Sequence, residues 1–412
     1  MKLKTFFRDQ TSILFFSSII GIGFGLLASI LNTRFLAPEE YGNYRYVYNI
    51  ISFISSLLLF GYFVSGCRLL ALEKDISVCR RINGAMVIIV MASIILTMLV
   101  MILLYFIQKE YLNPSVATLF IYSIPVCGAP LILNYINTTF QGENRIKELA
   151  IARLLPYGIY LPLGYWWYSS FGANSVTLMI LQNGSALVIL SYLIIRLRPS
   201  FVELKPIFKK LNIENKRYGF HVYVGSVLAV SLAYLSGITL GIFEENNINV
   251  GYYTLALTVS MPLSILPTIV GTTHFKEFAS QNNINRKIIK NTVLITFVSL
   301  FAFVLMIIPL VEWVYTADYA IVGYYSCFLA IGMVAHGFGD MYNRFLGAHG
   351  KGREIRNGAV VTGMIQLLGS FGLVYLWGIY GAIMTRIISS IVYFILMIYY
   401  YNKIKQDLIG YV

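Results

Sequence analysis

Residues 85–107 read AMVIIVMASIILTMLVMILLYFI, twenty-three positions with no charge, no proline and no alternation of apolar with polar side chains. A hydrocarbon core about 30 Å thick takes about 20 apolar residues in a helix that rises about 1.5 Å per residue. The stretch is therefore read as one membrane crossing. A strand of a membrane barrel would be about 10 residues long with every second side chain polar, a pattern absent from this stretch. It lies inside a charge-free window, 82–108, and nine more such windows occur: 10–33, 46–67, 111–142, 154–195, 218–243, 246–275, 291–311, 319–339 and 357–385. The window 154–195 is broken by Gly172-Ala173-Asn174-Ser175, a turn signal, and holds two spans. A last span, about Ala382 to Asn402, follows Gly378-Ile379-Tyr380-Gly381 and carries Arg386. The expectation is an all-α polytopic membrane protein with twelve transmembrane helices.

Composition agrees. Of the 412 residues, 58% are hydrophobic and 12% charged, half the charge with which a soluble domain wets its surface. The net charge of +13 does not point to nucleic acid, because the chain has too little polar sequence to build a basic face for it. Its position along the chain is informative. With the N-terminus inside, seven cytoplasmic segments hold 26 of the 31 Lys and Arg, including Lys2, Lys4 and Arg8 at the start and Lys403 and Lys405 at the end. Arg34, Arg45 and Lys109 fall outside. The positive-inside rule then puts both termini of a multi-pass membrane protein in the cytoplasm. The apolar run after Arg8 is too long for a signal peptide and lacks a small-x-small cleavage site, so it is expected to remain as the first span. All loops are short, which leaves no room for a catalytic domain, and the chain is not expected to be an enzyme. Cys67, Cys79, Cys127 and Cys327 show no metal-ligand spacing, so neither a metal nor a disulfide is expected.

The longest loop, residues 198–217, divides the spans six and six, giving lobes 1–197 and 218–412. Similar signals recur in each half. Glu39-Glu40-Tyr41-Gly42 follows span 1 and Asn249-Val250-Gly251-Tyr252 follows span 7; Phe140-Gln141-Gly142 closes span 4 and Phe345-Leu346-Gly347 closes span 10; Phe171-Gly172 and Trp377-Gly378 precede spans 6 and 12. Offsets of 209, 205 and 206 indicate a duplication. Six being even, both halves enter the membrane in the same sense, and the expected product is two pseudo-symmetric six-helix lobes around a central cavity, the arrangement of alternating access.

These same markers, with Arg34-Phe35-Leu36-Ala37-Pro38 ahead of Glu39, carry a resemblance over the whole chain. It resembles the Wzx-type O-antigen flippases of the polysaccharide-biosynthesis group, within the multidrug/oligosaccharidyl-lipid/polysaccharide exporter superfamily. The resemblance implies transport of an undecaprenyl-diphosphate-linked oligosaccharide, a step in lipopolysaccharide or other surface polysaccharide biosynthesis, with proton or sodium as coupling ion and no other cofactor. Expected partners are this lipid-linked oligosaccharide, the membrane lipids, and a polysaccharide polymerase with its chain-length regulator.

A diphosphate head crossing hydrocarbon needs a cationic lumen, and a guanidinium grips phosphate in bidentate fashion. Four arginines are candidates for binding it. Arg45 shares a helical face with Asn49, Ser52 and Ser56, and either faces the lumen or snorkels to the outer interface. Arg386 is the deepest cation. Arg68 and Arg153 sit at inner helix ends, as anchors or as capture sites. In span 10, His336, Asp340 and Arg344 fall at i, i+4 and i+8; Asp340 is either an ion pair with Arg344 or the group that couples transport to an ion. Small-residue rows, Gly21 and Gly25 in span 1 and Gly225, Gly237 and Gly241 in span 7, suit close packing or hinging between helices. Most aromatic clusters lie at helix ends and read as interfacial belts. The same fold would also serve a multidrug or metabolite cation antiporter, whose lumen would favour acidic residues over Arg386. A membrane glycosyltransferase or polymerase would need a larger outer loop than Gln108 to Pro114 provides.

Overall fold

The computed structural model describes residues 10–224 and 231–410, with side chains over 16–224 and 232–406. Among them the regular structure is helical, and the chain forms two compact units, 1–234 and 235–412.

In the first unit, α1 (Gln10–Phe35) leads to α2 (Pro38–Leu57) and α3 (Tyr62–Leu72), which form one span bent by 57°. The bend lies at Phe60 and Gly61, both with positive φ (44° and 79°). Next come α4 (Ile76–Tyr111), α5 (Pro114–Ser123), α6 (Ala129–Gly142), α7 (Ile146–Phe171) and α8 (Ser175–Arg196), followed by the short basic α9 (Leu204–Glu214). Asp75 caps α4 by accepting from the Ser77 N–H at 2.8 Å. The helix then runs 36 residues, about 54 Å. Ile88, Met91, Ile95, Leu99 and Leu103 form an exposed apolar stripe along it, at the three- and four-residue spacing of one helical face. A side of this kind faces lipid, and the opposite side, with Met86, Val90 and Ile94, packs into a core with Leu131, Tyr135, Phe140 and Leu190.

The second unit contains α10 (Leu235–Phe243), the bent pair α11 (Ile248–Ser260) and α12 (Pro262–Thr273), α13 (Arg286–Val314), α14 (Ile321–Ala348) and α15 (Gly352–Gly410). Fifty-nine residues of helix would reach about 88 Å, far beyond one bilayer. Non-helical Gly378 (φ 52°) breaks α15 into two. The halves fold back on each other: a Cβ at Gly381 would lie 2.0 Å from the Leu373 carbonyl oxygen, and one at Gly369 2.5 Å from Thr385 Oγ1. The core gathers Phe278, Ala330, Met341, Phe345 and Met397.

Helices coincide with all twelve expected spans, the seventh only on either side of residues 225–230. By length and apolarity alone, seven single helices and two bent pairs qualify as crossings among the described residues, with α15 counted once. The chain is thus an all-α, multi-pass membrane protein.

The duplication recurs as a matched contact inside each unit. Glu40 Oε2 accepts the Ser175 N–H at 2.6 Å, where α8 starts after Gly172 (φ 83°). Glu244 accepts the Ile379 N–H, where the second half of α15 starts after Gly378, and also Asn249 Nδ2 at 2.7 Å. Donor and acceptor are displaced by the same 204 positions between the two pairs. Each carboxylate satisfies a helix-start amide that has no partner within its own helix.

The basic segment between the halves is folded rather than slack. Its α9 buries Ile207 and Leu211. A single π turn, Asn215–Gly219, follows against the bend of the α2–α3 span. Asn215 Nδ2 donates to the Phe60 carbonyl at 3.0 Å, and the Tyr223 hydroxyl donates to the Leu57 carbonyl. Breaking a helix inside a membrane frees carbonyls that lipid cannot satisfy, and these two side chains do so.

Candidate functional site

Each unit carries its own polar site within the spans. In the first, α1, α6, α7 and α8 enclose a cavity of about 360 Å³, lined among others by Ser18, Gly21, Asn137, Arg153, Gln182 and Asn183. Arg153, one of the four candidate cations, projects from α7. Its Nη1 donates to Ser18 Oγ at 2.9 Å and its Nε to Asn137 Oδ1 at 3.4 Å, while no described residue engages its Nη2. A guanidinium fixed on one edge by neutral acceptors keeps its other edge for an anion. Higher in the same unit a polar chain continues: the Tyr160 hydroxyl donates to Asn32, whose Nδ2 donates to Gln182 Oε1 at 3.2 Å.

Arg45 is partly buried in α2 among tyrosines. Its Nε donates to the Tyr41 hydroxyl at 2.9 Å, its Cζ lies 5.2 Å from the centre of the Tyr41 ring, and Tyr44 and Tyr48 are close enough to act on its charge. Tyr48 and Tyr157 line the cavity, which places Arg45 behind its aromatic wall. Asn49, Ser52 and Ser56 on the same face are buried. Arg68 is placed differently. It is exposed, 2.9 Å from Glu214 Oε1 and over the Tyr218 ring at 4.8 Å, and so engages the basic segment.

The second unit assembles its site from α10, α11, α12, α14 and α15. Arg386 is partly buried, with an Nε that is sealed from solvent and has no hydrogen-bond acceptor. Tyr253, His336 and Asp340 are its electrostatic neighbours, and no carboxylate lies within 4.0 Å among the described residues. Asp340 accepts from Tyr393 OH at 3.0 Å and Thr268 Oγ1 at 3.2 Å. Asn343 Nδ2 donates to the same tyrosine at 2.7 Å, and the His336 ring stacks at a tilt on it, 5.1 Å between centres. Arg344 is exposed and makes no ion pair with Asp340. Beside this lies a buried ladder: Ser389 Oγ to Gln366 Oε1 (3.1 Å), Gln366 Nε2 to Ser236 Oγ (2.9 Å), and Ser236 Oγ with Ser370 Oγ (2.8 Å).

Of the small-residue positions, Gly21 borders the first cavity, where a Cβ would touch Leu154 at 3.8 Å, while Gly25 faces open space. Gly237 and Gly241 are buried in α10, and Gly225 lies outside the described residues. Sequence reasoning did not single out Tyr393, Thr268, Gly337 or Gly339. The glycines flank Asp340 and set its surroundings: a Cβ at Gly337 would lie 2.4 Å from the Ser264 carbonyl oxygen, and one at Gly339 2.5 Å from the Tyr393 ring. The run His336-Gly337-Phe338-Gly339-Asp340 carried that signal, two glycines beside an intramembrane acid. Among the described residues no three His, Cys, Asp or Glu side chains gather as a metal ion would require.

Known structures share this architecture. The lipid II flippase MurJ in an inward closed conformation is 12% identical, with 96% of this chain and 90% of that one covered and a TM-score of 0.75. An inward-facing multidrug resistance MATE family transporter of the MOP superfamily is 15% identical, with 93% and 95% covered and a TM-score of 0.68. A MOP superfamily transporter from Pyrococcus furiosus is 14% identical, with 96% and 97% covered and a TM-score of 0.52. At these identities the likeness establishes the fold. No curated protein matches the sequence significantly. The profile of the family described as polysaccharide biosynthesis protein matches residues 7–275, about two thirds of the chain, and the protein belongs to that family.

Proposed function

We propose that the protein carries an undecaprenyl-diphosphate-linked oligosaccharide, a repeat unit of O-antigen or a related surface polysaccharide, from the inner to the outer leaflet of a bacterial plasma membrane. Both termini are cytoplasmic, as the loop charges demand, and transport proceeds by alternating access.

One observation carries this reading. Arg153 and Arg386, one in each unit, sit in membrane-spanning helices with no carboxylate within 4.0 Å among the described residues. At the centre of a span, where Arg386 lies, an arginine costs on the order of 2.5–3.5 kcal/mol on insertion scales, and less towards the inner end where Arg153 lies; a purely structural role would cut that cost with a paired acid. Unpaired, these two guanidiniums offer their N–H forks to an anionic cargo, and a diphosphate is the compact anion of a lipid-linked sugar. Membership of a polysaccharide biosynthesis family supports the same cargo class. Asp340, held by Tyr393 and Thr268 rather than by a cation, is the group to couple transport to a proton or sodium gradient. A polymerase and its chain-length regulator would act on the delivered unit.

The test is a deletion strain. Loss of surface glycan with lipid-linked glycan accumulating on the inner leaflet is the expected result. Intact surface glycan with raised sensitivity to cationic drugs would instead identify a multidrug antiporter.

A further inference from the structure

The excess positive charge is not spread evenly over the loops. At the basic end of the first unit, a pocket of about 700 Å³ opens between the turn joining α3 to α4, the turn joining α6 to α7, and the end of α8. That volume lies within the range of ligand sites. Five cations line it, Lys74, Arg80, Arg145, Arg196 and Arg198, against two acids, Glu73 and Glu143.

Both acids are already engaged. Glu143 accepts from Asn83 Nδ2 at 2.6 Å and pairs with Arg145 at 3.0 Å. Glu73 pairs with Lys210 at 3.3 Å and accepts the N–H groups of Lys74 and Asp75. The Asp75 N–H and the Lys210 ammonium lower its carboxyl from the ordinary value, so it stays charged and engaged with them. Lys74, Arg80, Arg196 and Arg198 then have no carboxylate within 4.0 Å among the described residues. The wall that carries Arg198 is fixed: the Ser200 N–H donates to the Arg80 carbonyl at 2.8 Å, and Gly84 lets that strand approach so closely that a Cβ would lie 2.0 Å from the Ser200 carbonyl oxygen.

The depth of the pocket selects its occupant. It begins where the apolar runs of α4 and α8 end, the level of the phosphate layer of a bilayer. Leu72, Ile76 and Ile195 beside it are 71%, 70% and 72% exposed, apolar surface that acyl chains would cover. We infer that this pocket binds the phosphate headgroup of an anionic phospholipid, apart from the intramembrane sites and whatever cargo they carry. Basic side chains at a membrane surface attract such lipids by about fivefold in affinity per residue.

Protein exchanged from mixed vesicles of phosphatidylcholine and phosphatidylglycerol into detergent should retain phosphatidylglycerol in saturable amount, read by native mass spectrometry. The triple variant R80Q/R196Q/R198Q should lose about fivefold per cation removed. R80K/R196K/R198K, which keeps charge and topology, should recover most of it. R286Q/K287Q/K290Q, the same charge loss in the second unit, should retain lipid as the wild type does. Equal loss in both glutamine triples, or equal retention of phosphatidylcholine, would overturn the inference. So would displacement of the lipid by inorganic phosphate at equal concentration, which would mark a site for free anions.

Discussion

Replacing Arg386 by Met separates a functional arginine from a structural one. Arg386 lies eight residues past Gly378, where the second half of α15 begins, about 12 Å along the axis, with about 24 Å of helix still to come before Asn402. It is therefore near the middle of a core about 30 Å thick. There, among the described residues, its Nε has no acceptor and no carboxylate stands within 4.0 Å. Removing a cation that has no ion pair, and on which Asp340 acts only from beyond 4.0 Å, should stabilise the fold, by about 1–3 kcal/mol against an insertion cost of roughly 2.5–3.5 kcal/mol, because Met fills similar volume. The same change removes a charge-assisted hydrogen bond to the cargo worth about 1.5–3 kcal/mol, so the apparent affinity should fall about 10- to 150-fold. Denaturant unfolding in detergent reads the first effect, and flipping of a synthetic lipid-diphosphate oligosaccharide in proteoliposomes the second. R386K, keeping charge without the fork, should fall between. A methionine variant that is several kcal/mol less stable, or that transports like the wild type, would refute the assignment.

D340N should leave the protein folded, since the amide oxygen can still accept from one of the two hydroxyls of Tyr393 and Thr268 while its NH2 donates to the other, yet transport should no longer respond to an imposed proton or sodium gradient; a wild-type response in the same vesicles would remove Asp340 from the coupling step. G337A should cost roughly 1–3 kcal/mol, since its Cβ meets the Ser264 backbone, which cannot turn aside, whereas G25A should change stability by less than about 1 kcal/mol; the unfolding midpoints of the two variants compare them directly. Burial pushes the Glu244 carboxyl above its ordinary value of 4.5. A folded pKa above the unfolded one means the unfolded chain loses its proton first, so the contribution is full below about 4.5 and declines as pH rises through the folded value. Wild type should thus lose stability relative to E244Q on going from acid to neutral pH, read from unfolding midpoints; parallel pH profiles for the two proteins would contradict this.

The spans were legible because burial in lipid writes itself as long uncharged runs, and residues 85–107 need no tertiary context to be read. The two helix restarts at Gly172 and Gly378 were legible too, since a positive φ in a turn calls for glycine. The fold of residues 204–224 was hidden by its lysines. Ile207, Leu211 and Asn215 recur every fourth residue and are the buried side, but the charges between them make the segment look like a linker. The bend at Phe60 and Gly61 was hidden for the opposite reason, since the apolar run continues through it. At Asp340 the i+4 spacing drew attention to Arg344, while the actual partners stand 53 and 72 residues away, at a separation no periodicity reports.

The bend in the second span has a dynamic consequence. In a straight helix the Leu57 and Phe60 carbonyls would be taken by amides four residues on, and in the bent one they are taken by Tyr223 and Asn215. Either set of partners satisfies both carbonyls, so the span can exchange one for the other without exposing a bare carbonyl to lipid. The amide of Asn215 thus acts as a removable substitute for one turn of helix, carried on the segment that leads into the second half of the chain.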